Sequence, residues 1–555
     1  MKKLFALLLA VVMVVSLFAG CGKAPEATDA KNPGVADTKN PEAADTNTPA
    51  EKPKLSISYC STTDYNNYAK ENDKGNYPAL RALVDNAGVE VTWRPINGTG
   101  YTEAVNTELA AGFDLADIYC DTYGGAFDAA ALLENGVTID LLPLVKEYAP
   151  NMMALLEEYP EIMARYTDAE GRLHSFPVTI GDPKDNLPMI ALREDWLKEL
   201  NLEMPATLDE LTTVLTAFRN NDPNGNGEAD EVPLTMRWWW FTQYLWPTFG
   251  LNANPNELVS LDETGTPQLE ILTDNYKAWV EYIHMLYENN LIDRNVFTPQ
   301  DMESRVVELL NNEESTMGGF SWWSTSVAYA FSSTYLRQFD PDASMSILPM
   351  LTSEWCDAPV QNMTSALNGA GVITTSCKDP VAAIKFIDYC FSEEATMLNV
   401  YGIRGETYEL DENGKPYYLD SYLAIEDDAS WSKIEGYGLV RGIFGKYTTI
   451  LVSPDKEYND TIRRDIDAVA SRADGVPFPT SLPLTSEQTM LKEQLTLDLN
   501  TFIDENLMKF IIGTRDLAEW DDFVADLKDD YQIERLLEEV YKPGYAAYLE
   551  KVSVN

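Results

Sequence analysis

Apolar and polar positions divide the chain into three regimes. Leu4–Phe18 is a continuous apolar run behind Met1-Lys2-Lys3. Gly22–Lys54 shows no apolar period at all; it repeats Lys-Asn-Pro at 31–33 and 39–41 and is rich in Ala, Asp and Thr. Beyond it the pattern becomes regular. Leu55–Cys60 alternates as a strand does, Tyr77–Ala87 has helical spacing, and Val89–Ile96 reads as a strand. Tyr101–Ala111 reads as a helix and Ala116–Cys120 as a short buried strand. Such a β-α-β-α-β series predicts an α/β fold, with a parallel-rich twisted sheet flanked by helices. Ligands of such sheets sit beyond the carboxyl ends of the strands. The loops after two of the strands thereby become candidates, with Asp64 and Tyr65 in one and Asp121 and Tyr123 in the other.

The first two regimes read as export and tethering. A basic start, a short apolar core and the small pair Ala19-Gly20 make a secretory signal. Its apolar run is short for a membrane span. Cys21 follows the small pair directly, the arrangement of a bacterial lipoprotein signal, with Phe18 where leucine is usual. Residues 1–20 are then expected to be removed and Cys21 lipidated, a two-chain anchor of the kind stable attachment needs. The stretch from Cys21 to Lys54 cannot bury enough apolar surface to order itself. As a flexible tether it spans on the order of 30 Å.

Composition narrows the function. With 41 Lys and Arg against 89 Asp and Glu, the net charge is −48, which argues against nucleic acid as a partner. Hydrophobic residues at 45% and aromatics at 11% describe a globular body from about Leu55 onward, large enough for two lobes. The chain has six cysteines and no CxxC, so neither a zinc site nor a disulfide framework is indicated. No GxSxG, HExxH or GxxxxGK[ST] motif occurs, and the two histidines are His174 and His284. A two-carboxylate glycosidase stays compatible, because so many acids make carboxylate pairs unavoidable.

Two constellations carry chemistry. Asp222, Asn224, Asn226 and Asp230 fall at positions 1, 3, 5 and 9 of a loop with Gly227 at position 6. Alternating oxygen donors around a tight glycine turn suit calcium, although Pro233 stands where an EF-hand carries its bidentate glutamate. The second constellation is aromatic. Trp238, Trp239 and Trp240 crowd one stretch, Trp322 and Trp323 another. Consecutive tryptophans cannot all face one core. Flat aromatic faces stack on the C–H faces of sugars, so some of them are expected in a cleft. The pair Gly318-Gly319 before Trp322-Trp323 suggests close backbone approach to a ligand.

Several blocks resemble the extracellular solute-binding proteins of ABC importers, the group of maltose- and alginate-binding proteins. They are Asp117-Ile118-Tyr119, Tyr148-Ala149-Pro150-Asn151, Leu192-Arg193-Glu194-Asp195-Trp196-Leu197, Pro205-Ala206-Thr207-Leu208-Asp209-Glu210-Leu211 and Asn312–Trp323. Ile347-Leu348-Pro349 resembles the group's return crossover. Tyr401–Tyr408 resembles its Gram-positive lipoprotein branch, with Arg404 where a glutamate is usual. The resemblance implies a two-lobed, class II periplasmic-binding-protein-like fold with a hinge. Residues 55–177 and 349–391 would form one lobe, 190–346 and 392–555 the other, with hinge candidates at Pro177–Pro188 and Leu348–Met350. It implies capture of a carbohydrate, of oligosaccharide length, for ABC permease subunits by a monomer without catalysis. It also implies calcium held by Asp222, Asn224, Asn226, Asp230 and Glu231, with Glu228 giving its backbone carbonyl. Trp323 aligns with a sugar-stacking position. A cell-surface glycoside hydrolase, a sensory lipoprotein and a peptide-binding protein of the same fold are the alternatives.

Overall fold

The computed structural model describes residues 51–554 apart from 62–76, 123, 160–162, 164, 169, 182–186, 237–243, 254–257, 298–304, 307, 310–314, 324–342, 361–365, 424–443, 448–463, 473–477 and 480. The first strands and helices form where the alternation places them. Strands β1 (Lys54–Ser61), β2 (Glu90–Asn97) and β3 (Ile118–Asp121) are joined by helices α1 (Pro78–Asn86) and α2 (Tyr101–Ala111). Pro78 opens α1, where its missing N–H costs nothing, and Gly112 ends α2 at φ 68°. β1 pairs in parallel with both β2 and β3. A later strand, Ala370–Ile373, joins β3 antiparallel at the sheet's edge.

Two large apolar cores organise Lys52–Asn555, which form one compact unit. Leu55, Ile57, Leu83, Trp93, Ile118 and Ile180 build the first, with Ile373, Ile384, Ile387, Ala395 and Phe444 from later in the chain. The second is built on β5 (Pro188–Arg193), buried along its whole length. β5 lies between two antiparallel neighbours, β6 (Gly319–Trp323) and β7 (Met345–Ile347). Trp196, Leu215, Phe218, Trp279, Leu348, Phe510 and Tyr541 pack around this sheet. Helix α3 (Leu208–Asn220) is started by a capping box, in which the Thr207 hydroxyl accepts from Glu210 N and the Glu210 carboxylate accepts from Thr207 N.

The chain passes between the cores at three places, and the three passages hydrogen-bond to one another. Thr179–Gly181 (β4) links Val178 of the first core to Leu187 of the second. Ala366–Asn368 (β8) leads back from Leu351 to Ile373 on β9 (Ala370–Ile373). Gly445–Tyr447 (β10) leaves Phe444 toward Ile466. The sheet order is β8-β4-β10, with β8 antiparallel and β10 parallel to β4. Two expectations change here. Leu348–Met350 is no crossing, because Leu348, Met350 and Leu351 are buried in the second core. Nor does 392–555 belong wholly to the second lobe. Ala395 and Phe444 sit in the first core, and Tyr408, Tyr418 and Tyr422 pack with Ala79 of α1.

The five described cysteines form no disulfide; Cys60, Cys120 and Cys390 are buried. Among the described residues no helix is long and apolar enough to cross a membrane.

Candidate ligand cleft and metal loop

Asp121 ends β3 and turns its carboxylate back into its own loop. Oδ1 accepts from Gly124 N at 3.0 Å and Oδ2 from Ala126 N at 2.7 Å. The side chain is 2% exposed. Asp121, a ligand candidate by its place after a strand, is instead buried and holds two backbone amides, which shapes its own loop. Asp121→Ala is expected to cost about 2 kcal/mol by stranding those buried N–H groups. A fall in the melting temperature of the unliganded protein checks this. Asp64, Tyr65 and Tyr123, the other loop candidates, lie outside the described residues, as does Cys21.

The tryptophan clusters divide similarly. Trp238, Trp239 and Trp240 lie outside the described residues. Trp322 and Trp323 occupy the last two positions of β6, in register with Met189 and Pro188. β5 begins at Pro188, just after the β4 passage, so its two antiparallel neighbours end at that same side. Gly318 and Gly319 serve the core and not a ligand. A Cβ on Gly318 would lie 2.6 Å from the Phe218 ring, and one on Gly319 2.7 Å from the Ala191 carbonyl. Trp246 is core as well, 5.8 Å from both Tyr276 and Trp279. Tyr244, a member of the same aromatic stretch, is buried too, with its hydroxyl on the carbonyls of Leu348 and Pro349. It ties the tryptophan-rich stretch to the segment following β7.

The loop after α3 is built as a cradle of oxygens. Asp222 takes φ 47°, and its carboxylate accepts from Asn226 N and Gly227 N, both at 3.0 Å. The Asn224 amide oxygen accepts from Asn226 N at 3.2 Å, and the Asn226 oxygen from Glu228 N at 2.7 Å. Asn226 Nδ2 reaches Asp230 Oδ1 at 3.3 Å. Glu231 stands apart: it is 3% exposed, and neither carboxylate oxygen has a hydrogen-bond partner. Arg219 approaches it only to 4.0 Å, spending its hydrogen bonds on the carbonyls of Ala229 and Glu231. Burial pushes the Glu231 carboxyl up, and the charges of Asp230 and Asp222 push it further. A buried carboxylate that accepts no hydrogen bond is costly unless a cation closer than Arg219 meets it. The donor set fits calcium on that ground. No group of three or more His, Cys, Asp or Glu is gathered for a metal among the described residues. The three acids of the loop, Asp222, Asp230 and Glu231, are accordingly not drawn to one centre in this structure.

His174, the first histidine a nucleophile pair could use, bonds Ser175 Oγ at 2.9 Å. Ser175 is 1% exposed, so the pair has no access to a substrate. Burial pushes His174 down to about 4, against the pull of Asp168 and Asp128 and with help from Lys551. Lys551, near the end of the C-terminal helix, donates to the Thr167 and Asp168 carbonyls beside it. The unfolded histidine binds its proton near 6.5, the folded one near 4. Between those values the unfolded chain holds more protons, so stability falls as pH drops through that window. His174→Gln is expected to flatten this part of a stability–pH curve, and an NMR titration should find the native ring neutral at pH 5.5.

With this geometry in hand, the comparisons with known proteins are specific. The fructooligosaccharide ABC transporter substrate-binding protein FusA of Streptococcus pneumoniae is 27% identical over 474 residues, 81% of this chain and 83% of FusA. Lipoprotein LipO of Bacillus subtilis is 24% identical over 359 residues, 61% of this chain and 66% of LipO. An EF-hand mutant of FusA solved with fructo-nystose superposes with TM-score 0.67 at 24% identity, covering 90% of this chain and all of that one. A solute-binding protein of Bifidobacterium longum infantis, described as binding HMO, superposes with TM-score 0.69 at 19% identity, covering 90% and 99%. These neighbours share the two-lobed α/β fold. The profile described as bacterial extracellular solute-binding protein matches residues 79–407, more than half the chain, and the chain belongs to that family.

Proposed function

We propose that this protein captures an oligosaccharide outside the cytoplasm and hands it to the permease subunits of an ABC importer. The observation that carries the reading is the likeness to FusA over 81% of the chain, since FusA is named for fructooligosaccharide binding and ABC transport. The two cores are then the two lobes, and the three-stranded crossing is the hinge about which they close. No bond is made or broken; binding and closure are the whole task, and the monomer suffices. The cleft would draw on Trp238–Trp240 and Trp322–Trp323 for stacking, with Asp64, Tyr65 and Tyr123 opposite.

Two further parts complete the proposal. Calcium would sit between Asp222, Asn224, Asn226, Asp230 and Glu231, with the Glu228 carbonyl, and would fix the turn between α3 and the segment Val232–Met236. Its role there is structural charge neutralisation. Cys21 would carry the lipid that holds the tethered body at the outer face of the cell membrane. The test is a glycan array probed with the purified protein, followed by calorimetry on any hit. Binding of short oligosaccharides supports the reading, and hydrolysis of them, or an array without hits, overturns it.

A further inference from the structure

The C-terminal helix begins in one core and ends on the other. Ile533, Leu536, Val540 and Tyr541 are buried in the second core, and Tyr545 packs against it. The winding changes here: a π-helical turn, Leu537–Tyr541, runs into the last helix, Lys542–Val554. Pro543 accounts for the change, since it has no N–H to give the Glu539 carbonyl and its ring crowds that oxygen. Just past the proline the helix is fastened down. A Cβ on Gly544 would lie 2.6 Å from Leu484 Cδ2, and the Tyr545 ring is 5.5 Å from that of Phe478, which is buried in the same core.

Beyond Tyr545 the helix leaves that core. Leu549 is 48% exposed, and Lys551, two residues on, is half-buried again against a different body. Its ammonium donates to the Thr167 and Asp168 carbonyls, each at 3.3 Å. Tyr166 and Leu173 flank that turn and are buried in the first core, and Thr167 bridges to Leu173. Burial pushes the Lys551 ammonium down, and the charges of Asp168 and Glu170 pull it back up. The Tyr166 hydroxyl also reaches the Gly369 carbonyl, where β8 gives way to β9. The turn that receives Lys551 is therefore tied to the place where the three-stranded crossing meets the first core. The helix makes a fourth connection between the cores, outside β4, β8 and β10. Unlike them, it is held at its far end by hydrogen bonds alone.

We propose that the C-terminal helix is a strap between the lobes, fixed at Gly544 on the second and buckled through Lys551 onto the first, and that it sets how far apart the lobes stand without ligand. The inference rests on the two-lobe hinge of the reading above and not on the identity of the ligand. Two charge-assisted hydrogen bonds present in one arrangement and absent in another shift the balance between the two. The strap thereby tunes affinity from a distance, because apparent affinity follows the fraction of the binding-competent arrangement. The test is small-angle X-ray scattering of the unliganded protein, wild type beside Lys551→Arg, Lys551→Met and Lys551→Glu. A body of about 500 residues has a radius of gyration of roughly 23 Å. Lys551→Arg should match wild type, and Lys551→Met should raise the radius by about 1 Å, as a hinge freed through part of its range would. Lys551→Glu should raise it further, through repulsion from Asp168 and Glu170. That extra rise should shrink in about 1 M salt, where the screening length falls to roughly 3 Å. Helicity by circular dichroism and the melting temperature should keep their wild-type values, since the packing at Gly544 is untouched. Four identical scattering curves, an arginine variant as expanded as the methionine one, or expansion accompanied by lost helicity overturns the strap. A glycan array without hits would remove the carbohydrate and leave the strap standing, so the two results are read apart.

Discussion

Replacing Gly369 by alanine is expected to destabilise the protein by about 3 kcal/mol, combining a positive-φ penalty with steric overpacking. Gly369 lies between β8 and β9, where the chain enters the first core from the three-stranded crossing. Its φ is +77°, a conformation that already disfavours a side chain. A Cβ would sit 2.2 Å from the Asp121 carbonyl oxygen and 2.9 Å from that of Thr122. Neither atom can yield without moving the loop whose shape Asp121 fixes. The Gly369 carbonyl is itself held by the Tyr166 hydroxyl at 2.7 Å. Gly414 supplies the control, since it has a similar φ of +80° with nothing near its would-be Cβ. Gly414→Ala should cost only about 1 kcal/mol, the conformational part alone. Urea unfolding followed by circular dichroism reads both. If the two variants unfold at the same midpoint, the packing between Gly369 and the Asp121 loop is not as described.

The second large effect concerns calcium. Chelation should remove about 4 kcal/mol of stability if the ion is present at a thousandfold above its Kd, because it binds only the folded loop. Glu231→Gln separates the two sides of this account. Without metal, the native carboxylate is buried with no hydrogen-bond donor and only Arg219 at 4.0 Å to offset it, so the neutral amide should leave the protein at least as stable as wild type. With calcium present, the variant has lost a charged ligand and should melt below wild type. The order of the two proteins therefore reverses between chelator and calcium. Thermal unfolding in each buffer measures it, and a protein verified free of metal that ignores added calcium would sink the assignment.

The sequence and the structure agree where a physical signal is local and repeated. β1 to β3 were legible because apolar residues alternate at Leu55–Cys60 and recur at helical spacing in the segments between strands. The hinge was not. β4, β8 and β10 have three residues each, too few for any period to show. The apolar Leu348-Pro349-Met350 drew attention instead, and it turned out to be core. Asp121 illustrates a different limit. A carboxylate before Gly124-Gly125 has the same appearance in sequence whether it meets a sugar or its own backbone, and only the fold distinguishes them. Gly318 and Gly319 were read as room for a ligand when the occupant is Phe218 on one side and Leu192 on the other. The tight turn at Asp222–Asp230 was legible, because Asp and Asn at alternate positions around a glycine are a local pattern, and their oxygens accept from the loop's own amides. The isolation of Glu231 was not, since burial is a property of the whole.

The threefold passage between cores sets an order of events on the growing chain. Neither core is a continuous stretch of sequence. As the polypeptide emerges N-terminus first, β3 must wait for its neighbour β9 until Ala370 has appeared, with one row of backbone groups open in the meantime. The second core waits longer still, for Phe510, Trp520 and Tyr541. The two halves therefore mature late, the second after the first, and through contacts distant in sequence, a topology that folds slowly. An open sheet edge during that interval invites pairing with a second chain. A truncation near Tyr447 would leave the first core with all its strands and the second without its closing helices. A nascent chain stalled there should thus be protease-resistant in one half and an aggregation risk in the other.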